Sequence, residues 1–130
     1  MPMIEGTSRL KTLEAVYDFA VDGGAQGNKT LRPGDSMGNL LPAGAVVVGG
    51  YLDVETSVLS ATGTVALTVE AAGDLLTATP QAGLTAGRKD LNVDSTGSTA
   101  IKTSQARSVV MTVATAALTA GKFRVVVFYK

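Results

Sequence analysis

The stretch that decides the fold runs from Arg107 to Lys130: Arg107-Ser-Val-Val-Met-Thr-Val-Ala-Thr115, then Ala116-Ala-Leu-Thr-Ala-Gly121, then Lys122-Phe-Arg-Val-Val-Val-Phe-Tyr-Lys130. Two runs rich in β-branched and aromatic residues flank a short link with a glycine, the sequence form of a β-hairpin. In the second run Phe123, Val125, Val127 and Tyr129 fall on one face of a strand. Lys122, Arg124, Val126, Phe128 and Lys130 fall on the other. The first face is apolar but for one phenol, and the second turns from polar to apolar along its length. Such a strand is buried on one side and partly covered on the other, as in the middle of a sandwich or at a subunit contact.

Working outward, the same period recurs. Thr64–Ala71 alternates cleanly, with Val65, Leu67 and Val69 directed inward. Ala45–Thr56 carries the longest strand signal, interrupted by Gly49-Gly50, which predicts a bulged strand bending from one sheet to another. Thr12–Val21 places Leu13, Ala15, Tyr17, Phe19 and Val21 on one face. Lys29–Arg32, Arg88–Asp94 and Ala100–Thr103 predict short strands, and Gly73–Pro80 reads as an irregular edge or a single helical turn. Leu41-Pro-Ala-Gly44, Leu84-Thr-Ala-Gly87 and Leu118-Thr-Ala-Gly121 repeat one form just before a strand. They predict a leucine that plugs the end of the core and a glycine at a φ the next strand requires. Turn signals between short strands, without a long helical pattern, give an all-β single domain: a jelly-roll-like β-sandwich of about seven or eight strands over residues 12–130. Met1–Lys11 reads as an arm.

Composition removes several functions. The 130 residues contain no cysteine and no histidine, and 11 basic residues balance 11 acidic ones. Disulfides, thiolate chemistry, histidine-based triads and the usual zinc ligands are thereby absent, and no basic stripe marks a nucleic-acid surface. No apolar run approaches the roughly 20 residues that span a membrane, and the N-terminal residues lack the pattern of a secretory signal. The Gly-rich Asp22–Asn28 departs from the phosphate-loop pattern. Asp90-Leu-Asn-Val-Asp94 begins like a calcium loop but lacks its glycine and closing glutamate. Asp53, Glu55 and Glu70 could pair as catalytic carboxylates across strands, but solvated, edge-protecting charges account for them more simply. Tyr17, Tyr51 and Tyr129 fit half-buried anchors better than a sugar platform. The expectation is a non-enzyme without cofactor or metal.

The positive clue is a set of uncharged faces carrying Thr62, Thr64, Thr68, Thr77, Thr79, Thr96, Thr99, Thr112 and Thr115. Exposed strands of a monomer are usually protected by charge, so such faces suit a protein that meets copies of itself.

Leu41–Val48 followed by Leu52–Thr56, together with the ending Leu118–Val125 and its terminal aromatic strand, resembles small structural proteins of tailed bacteriophages. The resemblance implies a virion protein made in the host cytoplasm, a capsid decoration (cement) protein that binds the major capsid protein on the outer shell as a trimer or other oligomer. A head–tail connector, a tail component and a carbohydrate-binding sandwich are the alternatives. The expected contact segments are the arm and the Gly23–Leu41 loop. With the apolar end of the last strand, they give Met3, Ile4, Arg9, Leu10, Met37, Leu40, Val126 and Phe128 as candidate interface residues.

Overall fold

A computed structural model of the chain describes residues 11–34, 38–91 and 101–130. Its strands are β1 (Lys11–Asp18), β2 (Gly27–Thr30), β3 (Arg32–Pro33), β4 (Val46–Leu59), β5 (Thr64–Thr68), β6 (Leu76–Pro80), β7 (Gly87–Asp90), β8 (Ile101–Lys102), β9 (Val110–Ala114) and β10 (Ala120–Tyr129). One helical turn, α1 (Phe19–Asp22), follows β1. The strands form two antiparallel sheets. The first runs β3-β1-β10-β4-β7, with β8 also on β4, and the second runs β2-β9-β5-β6. The fold is the β-sandwich that the alternating pattern predicts.

Alternation alone explains how each sheet finds the core. Leu13, Ala15 and Tyr17 of β1, Phe123, Val125 and Val127 of β10, and Leu52 and Val54 of β4 are buried. They face Val65 and Leu67 of β5 and Met111 and Val113 of β9, which are buried too. Each large apolar side chain taken from water in this way contributes about 1.5–3 kcal/mol before conformational entropy is charged against it. Tyr17 and Phe123 stack with centroids 5.1 Å apart, and the Tyr17 hydroxyl donates to the Gly23 carbonyl at 2.7 Å. Burial, and then the nearby carboxylates of Asp22 and Asp18, push its pKa up to about 12.

Four expectations need correction. The closing hairpin does not exist. β9 pairs with β2 and β5 in the second sheet, whereas β10 pairs with β1 and β4 in the first, so the link between them crosses the sandwich. Thr115 takes φ 73° where that crossing begins. Likewise β4 is bulged but does not change sheets: its register against β10 slips near Phe128 and near Lys122, yet every partner it has lies in the first sheet. The strand expected over Lys29–Arg32 is divided at buried Leu31, β2 lying in one sheet and β3 in the other. Finally, the alternation from Thr12 stops at Asp18. Asp18 Oδ1 accepts from the Ala20 N–H and Asp22 Oδ2 accepts from the Asp18 N–H, which starts α1 and leaves Val21 66% exposed.

The Leu-x-Ala-Gly repeat behaves as predicted. Leu41, Leu84 and Leu118 are all buried, and Gly44, Gly87 and Gly121 have φ of 80°, 127° and 147°. A side chain at those angles would be strained. The Gly-rich loop after α1 has a structural reason as well: a Cβ on Gly24 would strike the Leu118 backbone carbonyl, and Leu118 N–H donates to Gly24 O at 2.7 Å.

Candidate functional site

Buried polar side chains hold the loops that connect the sheets. Asn39 spans Leu31 and Val109: its Nδ2 donates to Leu31 O at 2.8 Å, and its Oδ1 accepts from Val109 N–H at 2.9 Å. Leu41 exchanges backbone hydrogen bonds with Arg107 at 2.7 and 2.8 Å. Leu40 lies between these two anchored residues and is 59% exposed. An apolar side chain is thus presented to solvent on backbone that is held on both sides. Ser60 and Thr103 stitch other loops in the same manner, Ser60 to Ala117 and Thr103 to Pro42.

The two outer faces differ in chemistry. On the first sheet, register aligns Glu14, Val126, Tyr51 and Asp90, and beside them Val16, Arg124, Asp53 and Arg88. Charges here meet one another. Glu55 lies 3.4 Å from Lys122 and Glu14 lies 3.8 Å from Arg124. The Arg88 guanidinium sits 4.5 Å above the Tyr51 ring, whose other neighbour is Phe128 at 6.1 Å. On the second sheet the aligned rows are Asn28, Thr112 and Ala66; Thr30, Val110 and Thr68; and Ala114, Thr64 and Pro80. None of these residues ionises. Thr112 Oγ1 donates to Asn28 Oδ1 at 2.7 Å, so even the hydroxyls of this face are partly engaged.

Among the candidate interface residues, Leu40 is well exposed, Phe128 is half-buried beside Tyr51, and Val126 is 5% exposed, which leaves little of it to touch a partner. Met3, Ile4, Arg9, Leu10 and Met37 lie outside the described residues, as do Asn92, Asp94, Thr96 and Thr99. The carboxylates weighed for catalysis are not brought together. Asp53 and Glu55 lie on β4 among basic neighbours, whereas Glu70 pairs with Arg107 at 2.9 Å near the end of the second sheet. The Arg107 hydrogen bond, helped by Ser104, holds the Glu70 carboxyl below its usual range. At Asp22, burial works in the opposite direction, but hydrogen bonds from Arg32 and from the Asp18 N–H outweigh it and lower that carboxyl too. Among the described residues no group of three carboxylates could hold a metal ion, and no helix is long and apolar enough to cross a membrane.

Sequence reasoning did not bring together Val16, Val21, Arg32, Lys122 and Arg124, which line one notch of about 230 Å³ on the first sheet. These residues lie far apart in the chain, and only the register of β1 against β10 unites most of them.

No known family profile matches the chain, and no curated protein matches it in sequence. Three solved structures match in fold. The acid-stable capsid of Helicobacter pylori bacteriophage KHP30 contains a chain with TM-score 0.62 and 18% identity, the match covering 94% of this chain and 87% of that one. The capsid asymmetric unit of cyanophage Pam1 gives TM-score 0.60 and 25% identity, covering 93% and 84%. The capsid of Ralstonia phage GP4 gives TM-score 0.60 and 17% identity, covering 99% and 88%. The resemblance read from Leu41–Thr56 and Leu118–Val125 therefore holds at the level of fold: over nearly its whole length, this chain has the fold of a protein found in bacteriophage capsids.

Proposed function

We propose that this chain is a structural component of a bacteriophage virion, a decoration protein that attaches to the major capsid protein on the outer shell and strengthens the head without covalent bonds. The observation that carries this reading is the fold likeness to three capsid chains over 93% to 99% of this sequence. The surface agrees with it. A rigid sandwich presents Leu40 on an anchored loop, and the second sheet offers an uncharged face without the gatekeeping charges that keep exposed strands apart. We assign that face to contact between copies, as in a homotrimer, and the Gly23–Leu41 loop with the arm to the shell. Many modest contacts multiplied by the avidity of an oligomer would then clamp neighbouring capsid subunits.

The test is attachment. Purified protein is mixed with shells assembled without it and sedimented, and its mass in solution is measured by light scattering across a range of concentrations. Saturable co-sedimentation with a trimer mass is expected. Protein that stays in the supernatant at every concentration would remove the decoration role. A closed ring larger than a trimer would move the assignment to a connector or tail component.

A further inference from the structure

The segment Asn39–Leu41 continues the second sheet beyond β2. Leu41 and Arg107 form an antiparallel bridge, and Asn39 Oδ1 accepts from Val109 N–H. Leu40 therefore falls opposite Ser108, just before β9. Val109, Met111 and Val113 are buried, and so are Asn39 and Leu41 on either side of Leu40. Alternation turns Leu40 the other way, onto the outer face that carries Val110, Thr112 and Ala114. Three large apolar side chains stand well exposed among the described residues, Val21, Leu40 and Leu59. Val21 belongs to α1 and Leu59 to β4 of the first sheet, so Leu40 alone of the three lies on the uncharged face. Arg107, which shares the bridge with Leu41, has its guanidinium on Glu70 at 2.9 Å, and the charge at this end of the face is thereby neutralised.

We propose that Leu40 anchors the contact between copies: the side chain of one chain lies on the uncharged face of the next, over Ala66 and Ala114. The inference rests on the self-contact reading above and deepens it, giving Leu40 to the neighbouring copy within a loop otherwise assigned to the shell. Its backbone is held on both sides, so little freedom is lost when the side chain is covered. Covering a surface that carries charges would strip them of water at a cost, and the aligned rows of this sheet carry none. Ala66 and Ala114, diagonal neighbours on β5 and β9, have the shortest side chains in those rows and lie between Thr64 and Thr112. A leucine placed there leaves water while the flanking hydroxyls stay at the rim. Leu40 cannot reach this seat in its own chain. Ser108 and Ala114 are separated by about 20 Å of extended backbone, so only another copy can fill it.

Cysteine cross-linking tests the pairing, since the chain has no cysteine of its own. The double variant Leu40→Cys, Ala114→Cys is oxidised and run on a non-reducing gel beside each single variant. Within one chain the two sites are too far apart for a disulfide, whose Cα atoms lie within about 7 Å of each other. Disulfide-linked dimers and larger species are expected from the double variant, and monomers from both singles. A double variant that stays monomeric overturns the proposal. So does a single variant that links as fast as the double, because like would then meet like. Leu40→Ser supplies a second readout: self-association in light scattering should weaken tenfold or more, with the unfolding midpoint of the monomer unchanged. Undiminished self-association by Leu40→Ser overturns the proposal as well. A wild-type protein that is monomeric at every concentration removes the self-contact reading itself. An oligomeric wild type without the cross-link removes only Leu40 from the contact and leaves that reading in place.

Discussion

The two outer faces of the sandwich are made by the same kind of strand and yet have opposite surfaces. The first sheet carries interleaved carboxylates, lysines and arginines, so that any approaching strand meets charge. The second offers threonine, alanine, valine and asparagine across β2, β9 and β5, with no ionisable group in the aligned rows. The inner faces do not differ in this way: both are apolar, the first adding the rings of Tyr17 and Phe123 to its aliphatic side chains. The comparison teaches that core and surface are specified separately. The inner residues fix the sandwich, and the outer ones decide what each side of it can meet.

Equivalence of the inner faces gives the largest expected effects. Phe123→Ala in β10 should cost about 3–5 kcal/mol and Met111→Ala in β9 about 2–5 kcal/mol by denaturant unfolding. A much smaller loss on one side would show that the two sheets do not share one core. The difference between the outer faces is broken by Ala66→Arg, which puts a charge in the middle of the uncharged rows. It should lower self-association at least tenfold in light scattering while leaving the unfolding midpoint of the monomer nearly unchanged. An unaltered mass would take self-contact away from that face.

Smaller effects sharpen the picture at the edges of the sheets. Tyr17→Phe removes the hydrogen bond to Gly23 and should cost about 1 kcal/mol. It should also change the alkaline behaviour. The Tyr17 pKa is raised from 10.0 to about 12 in the folded chain, so the unfolded chain ionises first. Stability is then complete below about pH 10 and declines as pH rises toward 12, and that decline should be shallower in Tyr17→Phe. The smallest effect belongs to Glu70→Gln, on the half-buried pair with Arg107 near the surface. With its folded pKa below the ordinary 4.5, Glu70 stabilises above that value and loses its contribution as pH falls through the lowered one. Acid unfolding curves of the wild type and Glu70→Gln should therefore converge at low pH.

Much of this fold is legible one residue at a time. Alternation reports which way a side chain points, so Val65, Leu67, Phe123 and Val125 are placed inside without knowing their partners. The Leu-x-Ala-Gly repeat is legible because its glycines answer a local backbone need. What alternation does not carry is pairing. Val110–Ala114 and Ala120–Tyr129 look like two arms of a hairpin, but the five residues between them cross from sheet to sheet, and nothing in their chemistry separates a turn from a crossing. Thr64, Thr68 and Thr112 likewise gather on one face only once β5 and β9 are aligned. The helical turn at Phe19 had a visible signal, an aspartate at position 18 able to cap and another at 22 able to return the bond. The notch had none, since it is a product of register.

The place of β10 has a consequence for when the molecule can fold. It lies between β1 and β4, so residues 11–18 and 46–59 have no shared partner until residues 120–129 have left the ribosome. β4 can pair with β7 and β8, and β1 with β3, before then, but the two parts of the first sheet join only through β10. Closing loops of that span is slow. A chain without residues 120–129 would leave β1 and β4 lacking the one strand that joins them, and the first sheet would stay in two pieces.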